Sequence, residues 1–185
     1  MKMNQMTKNA VSNAVGNLHL PRYHDIPDVG LYLDQVVKYI GQYLNVLGEV
    51  GITASMISNY VKKGLVDSPV KKQYDRQRIA YLFFIAVVKN VLSLDNLALF
   101  IALQKRTYAP QRAYDYFCEE LENVLSYVFG LKETLDVVGY DSSDEKRMLR
   151  SAIIAVAHKA YLECNFTLIK EESDAAMQHA ADETQ

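Results

Sequence analysis

Between Leu33 and Leu168 the apolar residues return every third or fourth position, in runs set apart by Gly, Pro or a capping Ser, Thr or Asp. That period puts each run's apolar side chains on one face of an α-helix, whereas a half-buried strand needs strict alternation. The chain is therefore expected to be mainly α-helical. Of its 185 residues 50% are apolar, with eight Gly and four Pro, enough to bury a core and to confine disorder to the ends.

Residues 1–19 hold no sustained period and are expected to form a mobile N-terminal arm. The stretch from Leu20 to Asp28, with Pro21 and Pro27, reads as an ordered, extended lead-in. A first helix carries Leu33, Val36, Val37, Ile40, Leu44 and Leu47 and is ended by Gly48 and Gly51. Thr53 suits an N-cap and Gly64 a C′ position, which sets a second helix over 54–63. Residues 65–74, broken by Pro69, suit two short strands around a turn. Asp75 caps a third helix, and Ser93 a fourth that ends near Gln104.

Residues 105–110 read as a linker, with Pro110 near the first turn of the next helix. Phe117, Leu121, Val124, Val128, Leu131, Leu135 and Val138 then make a heptad seam, with Gly130 in its middle. That seam packs either inside the chain or across a dimer. Ser142 or Ser143 caps a last helix over about 144–170, with a wide apolar stripe. The acidic residues 171–185 are expected to form a disordered tail.

Charge is unevenly placed. From Thr53 to Asn90, seven bases (Lys62, Lys63, Lys71, Lys72, Arg76, Arg78 and Lys89) face two acids, Asp67 and Asp75. The last fifteen residues hold five acids and no base. A basic island in a chain of net charge −2 is the usual electrostatic footprint of a nucleic-acid surface.

The island contains a pattern with chemistry. On the second helix Ile57, Val61 and the following Leu65 share one face, which would lock onto the helix before it, while Ser55, Ser58, Asn59 and Lys62 form a polar ridge on the other. Asn can pair bidentately with adenine, Ser serves several partners, and Lys reaches guanine or phosphate, so the ridge suits a recognition helix in a major groove. An ordinary solvated helix face fits the ridge alone equally well. Lys71 and Lys72 at the hairpin tip and Arg76 at the next helix start would flank it on the phosphates, the composite pattern of a helix-turn-helix with a basic wing.

Residues from about Ile52 to Ile101 resemble the DNA-binding domain of MerR-type transcriptional regulators. The resemblance lies in Ile57-Ser58-Asn59-Tyr60-Val61-Lys62-Lys63-Gly64-Leu65-Val66, then Pro69, then Tyr74-Asp75, then Val91-Leu92-Ser93-Leu94-Asp95. It implies a winged helix-turn-helix over 20–106, a helical hairpin over 107–170 for dimerisation or effector binding, and sequence-specific binding of double-stranded DNA by a homodimer. It also implies that Tyr60 contacts phosphate and that Lys62 stands at a frequent basic position; Lys63 beside it is a further candidate DNA-binding residue. Ser58 replaces the Arg that this family usually carries, Asn59 its first aromatic, and Val91-Leu92 its Gly-Phe pair. From Leu20 to Leu103 the chain also resembles an uncharacterised bacterial family, a domain of unknown function with a MerR-like core.

The competing expectation is a protein-interaction module that keeps this fold without binding DNA, docking through its last two helices. An enzyme ranks third, because the phosphate-binding, dinucleotide-binding, nucleophile-elbow and zinc-protease motifs are absent. Cys118 and Cys164 are separate and read as core thiols, His158 as a lone histidine, and Glu119, Glu120 and Glu122 as a solvated helix face. No metal and no cofactor is implied. Tyr108, Tyr114, Tyr116 and Tyr127 either fill half-buried positions or line a pocket for a small effector. The polar start and the lack of an uninterrupted apolar stretch lead to a cytoplasmic protein with no membrane contact as the expectation.

Overall fold

The computed structural model describes residues 9, 12–13, 15–48, 50–139 and 143–182. The chain is mainly helical, with one two-stranded antiparallel sheet. A 3₁₀ turn at Tyr23–Asp25 follows the extended Leu20 to Arg22, and then come β1 (Leu31–Tyr32) and α1 (Leu33–Leu44). After a second 3₁₀ turn, Asn45–Leu47, follow α2 (Ala54–Lys62), β2 (Gln73–Tyr74), α3 (Arg76–Val88), α4 (Leu94–Thr107), α5 (Pro110–Val128) and α6 (Asp144–Asp182).

Local chemistry sets most of these boundaries. The side chains of Thr53, Asp75 and Ser93 accept from the backbone N–H groups of Met56, Arg78 and Asn96, and Ser143 accepts from Lys146. At the end of α2, Gly64 N–H donates to Val61 O and Leu65 N–H to Tyr60 O, a Schellman motif around a glycine in the left-handed region. Pro110 occupies the start of α5, so the expected six-residue linker shrinks to Tyr108 and Ala109.

Helix α3 is the axis of the molecule. Ile79, Ala80, Leu82, Phe83, Ile85, Ala86, Val87 and Val88 are all buried, an all-round burial that only a helix with neighbours on every side sustains. It packs against α1 on one side and against α5 and α6 on the other, and the α5–α6 pair is the most extensive helix contact.

Several expectations are corrected. The heptad seam does not continue past α5. Gly130, at φ +72°, closes that helix in a second Schellman motif, which leaves Leu131 partly exposed off the helix. Phe117, Leu121 and Val124 are buried inside the chain. The expected two-stranded wing is reduced to the turn Val70–Gln73, and β2 finds its partner in β1, with Leu31 opposite Tyr74 and Tyr32 opposite Gln73. Gly30 makes this approach possible: a Cβ there would lie 2.7 Å from Gln73 Cβ. Helix α6 runs on through residues 171–182, so the expected tail is helical to Asp182, and 183–185 lie outside the described residues. In the expected N-terminal arm, residues 12, 13, 15 and 16 are helical, Val15 and Leu18 are buried, and Ser12 Oγ donates to Phe129 O at 3.1 Å. Residues 1–8, 10, 11 and 14 lie outside the described residues.

Among the described residues one helix, over Asp144–Ala175 of α6, is long and apolar enough by length and composition to cross a membrane. Its inner face, Ala152, Ile153, Val156, Ala157 and Ala160, is buried in the core, and the paired Lys159 and Glu163 interrupt its apolar run.

Candidate nucleic-acid interface

Helix α2 is anchored by Ile57, fully buried, and by Leu65 just beyond it. This fixes which face turns outward. Ser55, Ser58, Asn59 and Lys62 are all exposed, and so is Lys63 at the C-cap. With side chains an α-helix is about 10–12 Å across, which matches the roughly 12 Å width of a major groove, and the nine residues of α2 span about 13 Å along its axis. Ser58 Oγ donates back to Ala54 O at 2.9 Å, so its hydrogen is used within the helix and the exposed oxygen remains as an acceptor.

Seven residues after Lys63, the chain begins to reverse at Val70–Gln73. The backbone N–H of each end residue donates to the other's carbonyl, at 3.1 and 2.9 Å, and Lys71 and Lys72 sit at φ +51° and +66°. Two left-handed central residues define a type I′ turn, which suits the twist of a hairpin but favours Asn-Gly. Both lysines are exposed. The path from Lys63 to Lys71 cannot exceed about 29 Å even fully extended, and buried Leu65 and Val66 shorten it.

Two residues expected at this interface belong elsewhere. Tyr60 is 4% exposed and is part of the core that holds α2; burial raises its hydroxyl pKa. Arg76 reaches back to the lead-in, donating through Nε to Ile26 O at 2.8 Å and through Nη2 to His24 O, 3.6 Å from Asp28 and over the ring of Tyr23. These contacts make it a strap between α3 and the lead-in. Arg78 is likewise tied to Asp67 O, Ser68 O and Asp75, and Lys89 Nζ lies 3.7 Å from Met56 Sδ. Of the seven bases in the island, Lys62, Lys63, Lys71 and Lys72 are the exposed ones with no ion-pair partner among the described residues.

The acidic face of α5 also differs from expectation. Glu120 is fully buried, with Oε1 3.2 Å from Arg150 Nε, and Tyr116 Oη donates to its other oxygen at 3.3 Å. Glu122 accepts Arg22 through both oxygens, at 2.8 and 2.7 Å, and also the backbone N–H of Leu20. These carboxylates brace the fold. The Cys118 thiol is buried and pushed up to about 12 by desolvation, and Cys164 is half-buried. No group of three or more His, Cys, Asp or Glu among the described residues is placed to hold a metal ion. Of the four singled-out tyrosines, Tyr108, Tyr114 and Tyr116 border a cavity of about 530 Å³, and Tyr127 does not.

No curated protein and no solved structure matches the chain. A family model described as a domain of unknown function (DUF1836) matches residues 21–117. The match opens in the lead-in and closes two turns into α5, so it takes in the ridge, the turn and the Arg76 strap. Covering just over half of the chain, it shows that the protein belongs to the DUF1836 family.

Proposed function

We propose that this protein is a sequence-specific DNA-binding transcriptional regulator of the winged helix-turn-helix kind. In this reading α2 enters the major groove, Ser55, Ser58, Asn59 and Lys62 face base edges, and Lys63, Lys71 and Lys72 meet flanking phosphates. The observation that carries it is how the basic island divides: its arginines are consumed inside the fold, while four lysines beside an outward polar ridge are left to solvent. The resemblance of residues 52–101 to MerR-type regulators supports the same reading. So does the turn geometry. Holding two lysines in left-handed backbone costs about 1–2 kcal/mol each relative to right-handed conformations, and such strain tends to gather at functional sites.

Ridge and turn have separable tasks, because base contacts specify and phosphate contacts position. Lys71→Ala should weaken binding to all duplexes about equally and lower the salt slope by about one, whereas Asn59→Ala should mainly flatten preference among sequences. Binding selections on both variants check this, and the same effect of both on every sequence would remove the reading role of α2.

A second reading, a protein-interaction module on the same fold, is favoured by one observation. Leu99 and Leu103 on α4 and Leu162 and Phe166 on α6 are exposed apolar side chains on the helices that bracket the core.

A further inference from the structure

A cavity of about 530 Å³ opens where α3 and α4 meet the start of α5 and of α6. It is of the size that holds a small organic ligand. It interrupts the seam of the core: within residues 79–88 of α3, Tyr81 and Phe84 are the two that are half-buried rather than buried, and both line it. Protein interiors leave few voids larger than a water molecule, so an aromatic side chain in mid-core that faces open space marks room for another occupant.

Hydrogen bonds hold that space open. Tyr81 Oη on α3 donates to Gln104 Oε1 on α4 at 2.9 Å, and Gln104 Nε2 donates to Tyr108 O at 3.1 Å. Tyr108 Oη lies 2.6 Å from Ser143 Oγ, at the head of α6. These bonds tie four segments around the cavity and keep it from collapsing onto its apolar lining.

The same bonds decide the polarity of the occupant. Tyr81, Gln104 and Tyr108 spend their polar ends on one another and on Ser143. Asp115 accepts the Tyr23 backbone N–H at 2.7 Å, and Glu145 accepts Thr107 Oγ1 at 3.1 Å. Arg112 stands over the ring of Tyr108, and Lys146 stands over Tyr116 and acts on the buried Glu120 carboxyl. A charged ligand would give up its hydration against groups already committed to protein partners. The lining also mixes two bases with three acids, counting the exposed Glu119, so neither an anion nor a cation meets walls of one sign. An apolar molecule gains by displacing loosely held water from such a space.

The floor is aromatic. Phe84 stands edge-on to Phe100 and to Phe117, with centroids 5.6 and 5.5 Å apart. A flat ring extends this array edge to face or by offset stacking, an advantage that a saturated molecule of the same area lacks. We infer that the cavity is a binding site for an uncharged, planar aromatic small molecule, its rings against Phe84, Phe100 and Phe117. The site does not depend on DNA binding, and its test needs no DNA.

The test uses the full chain and four probes of similar size: neutral 2-naphthalenemethanol, 2-naphthoate, 2-naphthylmethylammonium and the saturated decahydro-2-naphthalenemethanol. Each is titrated calorimetrically to roughly 1 mM, a range set by the affinity of ligands this small. The aromatic alcohol should bind about tenfold or more tightly than either ion. It should bind about threefold or more tightly than the saturated alcohol. Ala113→Trp, which fills the cavity from α5, should abolish its binding. Phe100→Leu keeps an apolar wall and removes one ring, so the preference for the aromatic over the saturated alcohol should shrink toward parity; this variant decides alone should Ala113→Trp fail to fold, judged by circular dichroism. No binding of the aromatic alcohol, an ion or a saturated alcohol that binds as tightly, undiminished binding in a folded Ala113→Trp protein, or a preference that Phe100→Leu leaves intact would overturn the assignment.

Discussion

Glu120 sits fully buried between Tyr116 and Arg150, and desolvation raises its pKa above the ordinary 4.5, with Arg150 and Tyr116 pulling the other way without cancelling it. A carboxyl with a raised folded pKa binds its proton more tightly in the native than in the unfolded state. Its favourable contribution is complete below the unfolded value and is lost as pH rises through the folded one. Glu120→Gln keeps the shape and cannot titrate. Urea denaturation across a pH series should therefore show stability moving in the variant's favour as pH rises above the ordinary carboxyl value of 4.5, and levelling once the buried carboxyl has ionised. Movement the other way would mean that the Arg150 pair outweighs the desolvation. Nothing in the spacing of Glu119, Glu120 and Glu122 marks two of them as buried or clamped. Their partners Arg150 and Arg22 lie 30 and 100 residues away, and only the packed fold brings them in. The ridge on α2 was legible because it depends on one helical period. Tyr60 and Arg76 were misplaced because an aromatic or a base near a recognition helix suits core and strap as well as phosphate.

Helix boundaries were readable wherever a local signal decides them, as at Thr53, Gly64, Asp75, Ser93 and Pro110. Gly130 shows how such a signal can override a periodic one. The heptad spacing runs on to Val138, yet a left-handed glycine ends the helix at its natural stop, and beyond it Leu135 packs against the core from irregular backbone while Leu131 and Val137 are exposed. The β1–β2 pair was not readable, since two-residue strands carry no period and their register joins residues more than forty apart. The Val70–Gln73 turn makes its own prediction. Lys71→Asn/Lys72→Gly installs the pair that a type I′ turn favours and removes two strained side chains, so it should stabilise the fold by about 1–2 kcal/mol and raise Tm by about 3–6 °C. The same variant should bind duplex DNA more weakly. A protein no more stable than wild type would show that the lysines are not strained there.

At the scale of the whole molecule, the core uses up the seam once open to dimerisation, and the unpartnered apolar surface lies further along. Past Ala160, α6 continues for 22 residues, with Leu162 and Phe166 exposed on its first two turns there. We propose that, if the chain dimerises, copies meet on this segment. Phe166→Glu should shift sedimentation toward monomer at unchanged helical content, and an unaltered sedimentation coefficient would place any dimer contact elsewhere. A symmetric pair would read two half-sites, each through one α2. All of this stands on the claim that the four free lysines mark a DNA surface. The most direct measurement is equilibrium binding to a labelled random duplex between roughly 50 and 200 mM salt, beside the Lys62→Glu/Lys71→Glu/Lys72→Glu variant. The wild type should show a steep inverse salt dependence, lowered by about three in slope or lost in the variant. No binding at roughly 100 µM protein and low salt, or a slope that the three substitutions leave intact, would contradict it.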